Sequence, residues 1–402
     1  MAGFRARVLH IADSADAERE LRDIRVDPAG IALMAGKMQT RCIRVNGLQC
    51  RQANILKQEL LSLGGDAAVA RGTVACSIEA TDVILIGTAK QLHRLCSKLA
   101  GQPFGLPRLG SELAGLLVRT ATPPKTWNIA GRELTLERPL IMGILNVTPD
   151  SFSDGNRYLD PVRAADRAME MAAAGADIID IGGESTRPGA HPVPADEEAR
   201  RVIPVIRRLA ASSFPCPVSI DTWKSEIAAA AVAEGASIIN DISGFTFDAA
   251  MADTAARTGA GVVLMHTRGT PGTMHEHTGY EDLVGEIIDR LDESVDRAVA
   301  AGIERSRIAI DPGICFAKKG RQNLEILRRL REFTSLGLPV LTGTSRKSFI
   351  GTALNRDAGE RVYGTAATVA VSVANGASIL RVHDVREMRD VADMTHAILT
   401  QA

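Results

Sequence analysis

The sequence is poor in aromatic residues, and its cysteines follow no pattern typical of a metal site. Phenylalanine, tryptophan and tyrosine make up 3% of the 402 residues. The six cysteines are scattered and form no CxxC pair, so we expect neither a zinc site nor a disulfide scaffold. The core has to be built from alanine, valine, isoleucine and leucine, which suits packed layers of helices and strands better than a β-sandwich.

The chain also lacks an excess of charge of either sign. Lys and Arg number 47 and Asp and Glu 48, for a net charge of −1, so no overall field would recruit nucleic acid or a membrane surface. No stretch reaches the roughly 18 apolar residues that a membrane-spanning helix needs. The N-terminal residues contain no apolar segment typical of a signal peptide. We therefore expect a cytoplasmic enzyme or binding protein.

Eight short apolar runs alternate with helix-like segments in the second two thirds of the chain. The runs are continuously apolar, as parallel strands buried on both faces are, and the segments between them repeat apolar residues with the helical period. The runs cover residues 141–147, 177–182, 217–221, 237–242, 261–266, 308–311, 339–343 and 378–383. Eight strand–helix repeats over about 260 residues predict an α/β fold of the (β/α)8 TIM barrel type. An open, doubly wound sheet is the alternative.

Polar side chains stand at or just past the end of every predicted strand. They are Asn146, Asp180, Asp221, Asn240, His266, Asp311, Ser345, Arg381 and His383. The carboxyl ends of barrel strands converge on one face, where the active sites of such barrels lie. One such residue could be structural, but packing does not explain polar groups at all eight ends. We therefore predict an enzyme.

The first part of the chain does not continue this strand–helix repeat and contains no catalytic motif. We predict a small α+β domain with a connector over residues 1–125 and the barrel over residues 126–402. The small domain would contain strands at 40–47 and within 77–89, and helices at 52–65 and 90–101. Residues 105–125 contain three prolines and are predicted to be a connector with a short helical piece.

The loops after the first four strands have the composition of a binding site. NVTPDSFSDG (146–155) and DIGGESTRPGA (180–190) offer hydroxyls, flexible glycines and backbone N–H groups to an anionic ligand or its metal. Asp221 in SIDTWK and Asn240 in INDISG could bind the edge of a polar heterocycle through paired hydrogen bonds. Taken singly, each of these two residues could instead cap a helix.

The last three motifs add an aromatic face and cations. In IDPGICFAKK (310–319), Asp311 ends a strand and Phe316 could stack on a flat substrate. TGTSRKSFIG (342–351) supplies hydroxyls and basic residues. In RVHD (381–384), alternation along the strand places Arg381 and His383 on the same side. Paired cations at a barrel mouth suit a phosphate or pyrophosphate.

These motifs, in this order, resemble those of the dihydropteroate synthase family over about residues 138–400. The resemblance implies a transferase that joins 6-hydroxymethyl-7,8-dihydropterin diphosphate to 4-aminobenzoate and releases pyrophosphate, with Mg²⁺ as cofactor and sulfonamides as inhibitors. It also implies a homodimer formed through barrel helices. It says nothing about the preceding domain.

The resemblance assigns a role to each candidate residue. The pterin pocket would be lined by Asp221, Asn240, Asp311 and Lys347. The diphosphate would be held by Asn146, Arg381 and His383, with Asn146 beside Mg²⁺. The aminobenzoate pocket would be shaped by Thr186, Arg187, Phe316 and Ser345. The residues closest to the chemistry would be Asp221, Lys347, Arg381 and His383, with Asp221 stabilising positive charge on the pterin methylene as pyrophosphate leaves.

Two positions depart from the family pattern, which usually has glycine where this chain has Cys315 and Ala317. We expect these side chains to alter the aminobenzoate side of the pocket and the response to sulfonamides. Three alternatives stay open. A related methyltetrahydrofolate–corrinoid methyltransferase would need no diphosphate site, a silent pterin-binding homologue would have lost turnover, and a sugar-phosphate barrel would leave Asp221 and Asn240 unexplained.

Overall fold

A computed structural model of the chain describes residues 5–148, 160–185 and 192–401. The chain divides into two compact units, Met1–Ala121 and Thr122–Ala402. In the described part of the chain, no helix is long and apolar enough to cross a membrane.

The first unit is built around a three-stranded antiparallel sheet. Its strands are β1 (Arg41–Gln49), β2 (Asp66–Val69) and β3 (Ala80–Gly87), in the order β1-β3-β2. Its helices are α1 (Ser14–Asp23), α2 (Pro28–Met34), α3 (Cys50–Ser62), α4 (Ala89–Leu99) and α5 (Leu106–Ala121). Leucines of α3, α4 and α5 pack on the buried residues of β3 to form this unit's core.

The connector that we predicted for residues 105–125 is mostly helix. Helix α5 is sixteen residues long and buries Leu106, Leu113 and Leu117. Pro107 was one reason to predict a connector. It lies near the start of the helix, where a backbone N–H has no partner within the helix, so a proline does not disrupt the helix there. The tandem Pro123 and Pro124 follow the helix end.

The second unit is the predicted (β/α)8 barrel. Its parallel strands are β6 (Leu140–Asn146), β7 (Ile178–Gly182), β8 (Val218–Asp221), β9 (Ile238–Asp241), β10 (Gly261–Met265), β11 (Ile308–Asp311), β12 (Leu341–Thr342) and β13 (Ile379–Val382). They follow one another in the order β11-β10-β9-β8-β7-β6-β13-β12, and a parallel bridge between Ile310 and Val340 joins the two ends. All eight predicted strands are present, which confirms the fold class.

Helices cover the outside of this sheet. They are α6 (Pro161–Ala173), α7 (Ala195–Ala211), α8 (Ser225–Ala233), α9 (Met251–Thr258), α10 (Leu283–Ala300), α11 (Gly320–Arg328), α12 (Ser348–Leu354), α13 (Val362–Ala374) and α14 (Val385–Thr400). Alternate strand residues face these helices or the barrel interior, so both faces are buried. This explains why the strands are apolar throughout.

A hairpin closes the amino-terminal end of the barrel. Its strands are β4 (Thr126–Ile129) and β5 (Arg132–Thr135). Trp127 and Ile129 are fully buried in a cluster with the first interior layer of the strands. The indole N–H of Trp127 donates to the carbonyl of Arg307 at 2.9 Å. With this end plugged, the carboxyl ends of the strands form the open face.

Candidate active site

Arg381 is the centre of a polar network at the open face. Its Nε donates to Asp180 Oδ2 at 2.6 Å, and its Nη2 donates to Asp221 Oδ2 at 2.6 Å. Asn240 Nδ2 also donates to Asp180 Oδ2, at 3.1 Å. Strands β7, β8, β9 and β13 each contribute one of these residues, so the barrel brings together side chains that lie far apart in the sequence.

Burial and charge together determine the electrostatics of this network. Burial raises the pKa of Asp221 to about 7, Arg381 acts in the opposite direction, and the neighbouring carboxylates of Asp180 and Glu198 raise this pKa further. Burial by itself would lower the pKa of Arg381, but Asp180 and Asp221 raise it. Arg381 therefore stays cationic, whereas Asp221 can change its charge near neutral pH.

Asn146 ends β6 close to this network. A Cβ placed on Gly182 would lie 3.6 Å from Asp221 Oδ2 and 3.9 Å from Asn146 Oδ1. The glycine thus leaves a small space that is bordered by two side-chain oxygens. Asn146 is partly exposed, as a residue that meets a ligand would be.

A second cluster joins Asp311, Phe316 and Lys347. Asp311 ends β11, is 7% exposed, and accepts a hydrogen bond from the N–H of Gly313 at 2.7 Å. The ammonium of Lys347 donates to the carbonyl of Ile314 at 2.6 Å and lies 5.1 Å from the centre of the Phe316 ring. Burial raises the pKa of Asp311 and lowers that of Lys347, while each charge partly offsets the effect on the other.

The last loops of the barrel pair Ser345 with His383. The Ser345 hydroxyl lies 3.0 Å from His383 Nδ1 and accepts a hydrogen bond from the backbone N–H of His383 at 3.1 Å. Ser345, which we predicted beside the aminobenzoate, thus contacts a residue that we predicted beside the diphosphate. The next residue, Arg346, pairs with Asp384 instead of facing the network.

Thr186 and Arg187 lie outside the described residues, but both ends of their loop are described. Glu184 Oε1 accepts a hydrogen bond from the N–H of Val193 at 3.2 Å, which ties the two ends together. Glu184 Oε2 also accepts one from Lys224 Nζ at 2.5 Å, and the same ammonium donates to Glu198 at 2.5 Å. The sequence did not predict this buried group of two carboxylates and one ammonium, because nothing in the sequence distinguishes Glu198 from an exposed residue of a helix.

A buried pair behind the second cluster was also missed. Lys318 Nζ lies 2.9 Å from His266 Nδ1 and donates to the carbonyl of Phe316 at 2.8 Å. Burial lowers the pKa of both side chains well below their usual values. The sequence showed that His266 lies at the end of a strand. It did not indicate which of the adjacent residues Lys318 and Lys319 is buried.

Comparison with known proteins identifies the class of protein that this barrel represents. The sequence profile described as "Pterin binding enzyme" matches residues 142–383, which include the strand-end residues of both clusters. The chain belongs to this family. Dihydropteroate synthase of Bacillus subtilis is 48% identical over 265 residues, which cover 66% of this chain and 90% of that protein.

Two further similarities extend this finding. A solved structure of dihydropteroate synthase from Xanthomonas albilineans in complex with 7,8-dihydropteroate matches with a TM-score of 0.62 at 40% identity, covering 68% of this chain and 98% of that chain. A probable bifunctional folylpolyglutamate synthase/dihydropteroate synthase of Halobacterium salinarum is 43% identical over 375 residues. That match covers 92% of this chain and therefore reaches into the first unit. The chain spans 44% of the length of the Halobacterium protein, which is less than half.

Proposed function

We propose that this protein is a dihydropteroate synthase, which condenses 6-hydroxymethyl-7,8-dihydropterin diphosphate with 4-aminobenzoate to give 7,8-dihydropteroate and pyrophosphate. The observation that carries the proposal is the Asp180–Arg381–Asp221 network at the open face of a pterin-binding barrel. The 48% identity to a dihydropteroate synthase over the barrel supports the same reaction.

The pterin would bind between the two clusters. Asn240 and Asp311 are 5% and 7% exposed, and buried amide and carboxylate groups can form paired hydrogen bonds with an amino-pyrimidine edge. Lys347 would donate to a ring oxygen or nitrogen. Its ammonium donates to the carbonyl of Ile314, and this contact with a hydrogen-bond acceptor supports the role.

Arg381 and His383 would hold the diphosphate, which is the leaving group. The reaction breaks the C–O bond between the pterin methylene and the diphosphate, and the electron pair leaves on pyrophosphate. Asp180 and Asp221 fix the orientation of the guanidinium before substrate arrives, so little reorganisation is needed as negative charge develops. The nitrogen of the aromatic amine then forms the C–N bond and releases one proton to water.

Asp221 would stabilise the positive charge that develops on the methylene carbon. A carboxylate is required for this role, and Arg381 favours the carboxylate form despite burial. The amine of 4-aminobenzoate is neutral at pH 7, so a strong general base is not needed. Phe316 would flank the aminobenzoate, together with Thr186, Arg187 and Ser345.

We also propose that Mg²⁺ is bound by Asn146 and by the diphosphate. The donor set suits this ion, because Mg²⁺ favours hard oxygen ligands and usually takes only one or two from the protein. The amide oxygen of Asn146 borders the open space at Gly182 and is such a donor. When bound, the ion would neutralise charge on the departing pyrophosphate.

Neighbouring helices α13 and α14 expose several large apolar side chains, namely Tyr363, Val371, Met394, Ile398 and Leu399. We propose that this surface joins two copies of the chain into a homodimer. All six cysteines are free thiols, as is usual in a reducing compartment, which supports a cytoplasmic location.

The test of the function is to incubate the purified protein with pterin diphosphate, 4-aminobenzoate and Mg²⁺ and to measure both products. We expect dihydropteroate and pyrophosphate in a one-to-one ratio, with neither formed when aminobenzoate is omitted. Pterin binding without turnover would contradict the synthase and favour a silent homologue. Methyl transfer from methyltetrahydrofolate to a corrinoid would favour the methyltransferase instead.

A further inference from the structure

The loop that follows β11 has a left-handed backbone at three alternate residues. The φ angles of Gly313, Cys315 and Ala317 are +71°, +70° and +54°. Glycine adopts this conformation readily, whereas a residue with a Cβ is strained in it. The loop therefore depends on other contacts to keep its shape at Cys315 and Ala317.

Side chains hold the backbone at each of the four residues 314–317. The carbonyls of Ile314 and Phe316 accept hydrogen bonds from the ammonium groups of Lys347 and Lys318. The N–H of Cys315 donates to Asn323 Oδ1 at 2.7 Å. The hydroxyl of Tyr280 donates to the carbonyl of Ala317 at 3.1 Å.

We propose that Tyr280 is a positioning residue for aminobenzoate binding, because its hydroxyl holds the left-handed backbone at Ala317 and thereby the ring of Phe316. The inference rests on the proposed function, in which Phe316 shapes the aminobenzoate pocket. Tyr280 acts through the loop and need not touch either substrate.

The surroundings of Tyr280 suit this role. The guanidinium of Arg268 stacks over the tyrosine ring at 3.9 Å from its centre, which fixes the ring and hence the direction of the hydroxyl. Burial raises the pKa of Tyr280 to about 12, so the hydroxyl keeps its proton and remains a donor over the physiological range. Ala317 is 1% exposed, so water has little access to replace the bond.

Asp311, on the pterin side of the pocket, makes no use of this bond. Asp311 belongs to a buried strand, and its carboxylate is held by the N–H of Gly313. Loss of the Tyr280 hydroxyl should therefore weaken the binding of aminobenzoate and leave that of pterin diphosphate unchanged. A residue that served only general stability would affect both substrates alike.

The test compares wild type, Tyr280→Phe, Ala317→Gly and the double variant. We expect Tyr280→Phe to raise the KM for 4-aminobenzoate about fivefold, the effect of one lost hydrogen bond, with the Kd of pterin diphosphate within about twofold of wild type. A glycine at position 317 would adopt the left-handed conformation without strain, so the hydrogen bond from Tyr280 would no longer be needed to hold it. In the Ala317→Gly background, Tyr280→Phe should therefore change this KM less than about twofold.

The matched control is Ser111→Ala on α5, because the exposed Ser111 hydroxyl also donates to a backbone carbonyl, that of Pro107. This variant should have the wild-type KM. Equal KM ratios in the two backgrounds, or no effect of Tyr280→Phe, would overturn the proposal. Hydrogen exchange gives a readout that does not need turnover: the amides of Cys315 and Phe316 should exchange faster in Tyr280→Phe, and Ala317→Gly should reduce this difference. If wild type makes no dihydropteroate, the proposed function fails, and the exchange data alone decide whether Tyr280 holds the loop.

Discussion

Asp221 is the residue whose charge matters most for the proposed chemistry. Its carboxylate is held by Arg381 and yet has a pKa raised to about 7, because burial opposes ionisation. As the pH falls through 7 this carboxyl gains a proton and loses its ability to stabilise a cation. We therefore expect kcat/KM for pterin diphosphate to fall on the acid side of about pH 7.

Asp221→Asn tests this assignment. The amide keeps the shape and one acceptor but no charge, so we expect kcat to fall by about 100-fold, typical of lost transition-state stabilisation, with the Kd of pterin diphosphate changed much less. The residual kcat/KM of this variant should also no longer fall as the pH is lowered through about 7. Equal losses in kcat and in pterin affinity would count against the role in the transition state.

Lys224 is a second buried charged residue, and for this one we expect a role in stability. Its ammonium lies between Glu184 and Glu198, whose side chains are 9% and 1% exposed. Lys224→Met would leave two buried carboxylates without a cation, and we expect a loss of about 3–5 kcal/mol in the free energy of unfolding.

Urea unfolding measures this loss, and Glu198→Gln is the matched control. That variant leaves a one-to-one pair of Lys224 and Glu184, so its loss should be clearly smaller. Equal stability of the two variants would contradict the view that the balance of charges within this group stabilises the protein.

The sequence was sufficient to predict many residues of the site, but not the hydrogen bonds between them. The strand-end positions of Asp221, Asn240 and Arg381 could be recognised because each polar residue ends an apolar run. That Arg381 would bind Asp180 and Asp221 depends on strand order and register around the barrel, which single motifs do not contain. Asp180 was placed at the open face and given no role for the same reason.

At the scale of elements, the site loops share a strained backbone that side chains stabilise. Phe245 and Arg346 have φ angles of +65° and +56°, as unusual as those of Cys315 and Ala317. The N–H of Phe245 donates to Asp241, and the carbonyl of Arg346 accepts from Arg361. Local propensity disfavours such conformations, so only tertiary contacts explain them.

The amino-terminal hairpin is an element whose role is separate from catalysis. Trp127 fills the end of the barrel opposite the site. We expect Trp127→Ala to lower the free energy of unfolding by about 3–5 kcal/mol, the cost of a large cavity, while the folded enzyme keeps near-normal KM values.

Thermal unfolding with parallel kinetics would check this expectation. Glu133→Ala, at an exposed position of the same hairpin, serves as the control and should leave stability almost unchanged. A large rise in the KM of either substrate in Trp127→Ala, measured where the protein is folded, would show that the plug also shapes the site.

Elements were predicted well where their pattern was repeated and less well where it was not. The barrel strands recur eight times with helices between them, so each supports the interpretation of the others. Strand β12 has only two residues, but the PVLTG run still indicated it. The length of helix α5 was underestimated because its proline and two glycines resemble a linker, although its leucines have the helical period.

At the scale of the whole molecule, the exposed apolar side chains of α13 and α14 need an explanation. Met394 and Ile398 are 62% and 63% exposed on one helix, four residues apart. Exposed apolar patches on folded proteins commonly mark interfaces, and we propose that this one joins two copies of the chain. We expect the wild type to have twice the monomer mass in light scattering, and Met394→Glu/Ile398→Glu to be monomeric.

Exposed residues on another helix provide the control for this measurement. Asp196→Lys/Arg200→Glu reverses a surface ion pair on α7 and should leave the mass unchanged. A monomeric wild type at micromolar concentration would contradict the proposed dimer, and equal masses for all variants would place the interface elsewhere.

We propose that the network around Arg381 carries out dihydropteroate synthesis. The most direct test measures dihydropteroate formation by wild type, Arg381→Ala and Arg386→Ala, the last being an exposed arginine five residues along the chain. We predict normal turnover for wild type and Arg386→Ala, and a loss of at least about 100-fold for Arg381→Ala. Wild-type activity in Arg381→Ala, or no product from any of the three, would contradict the account.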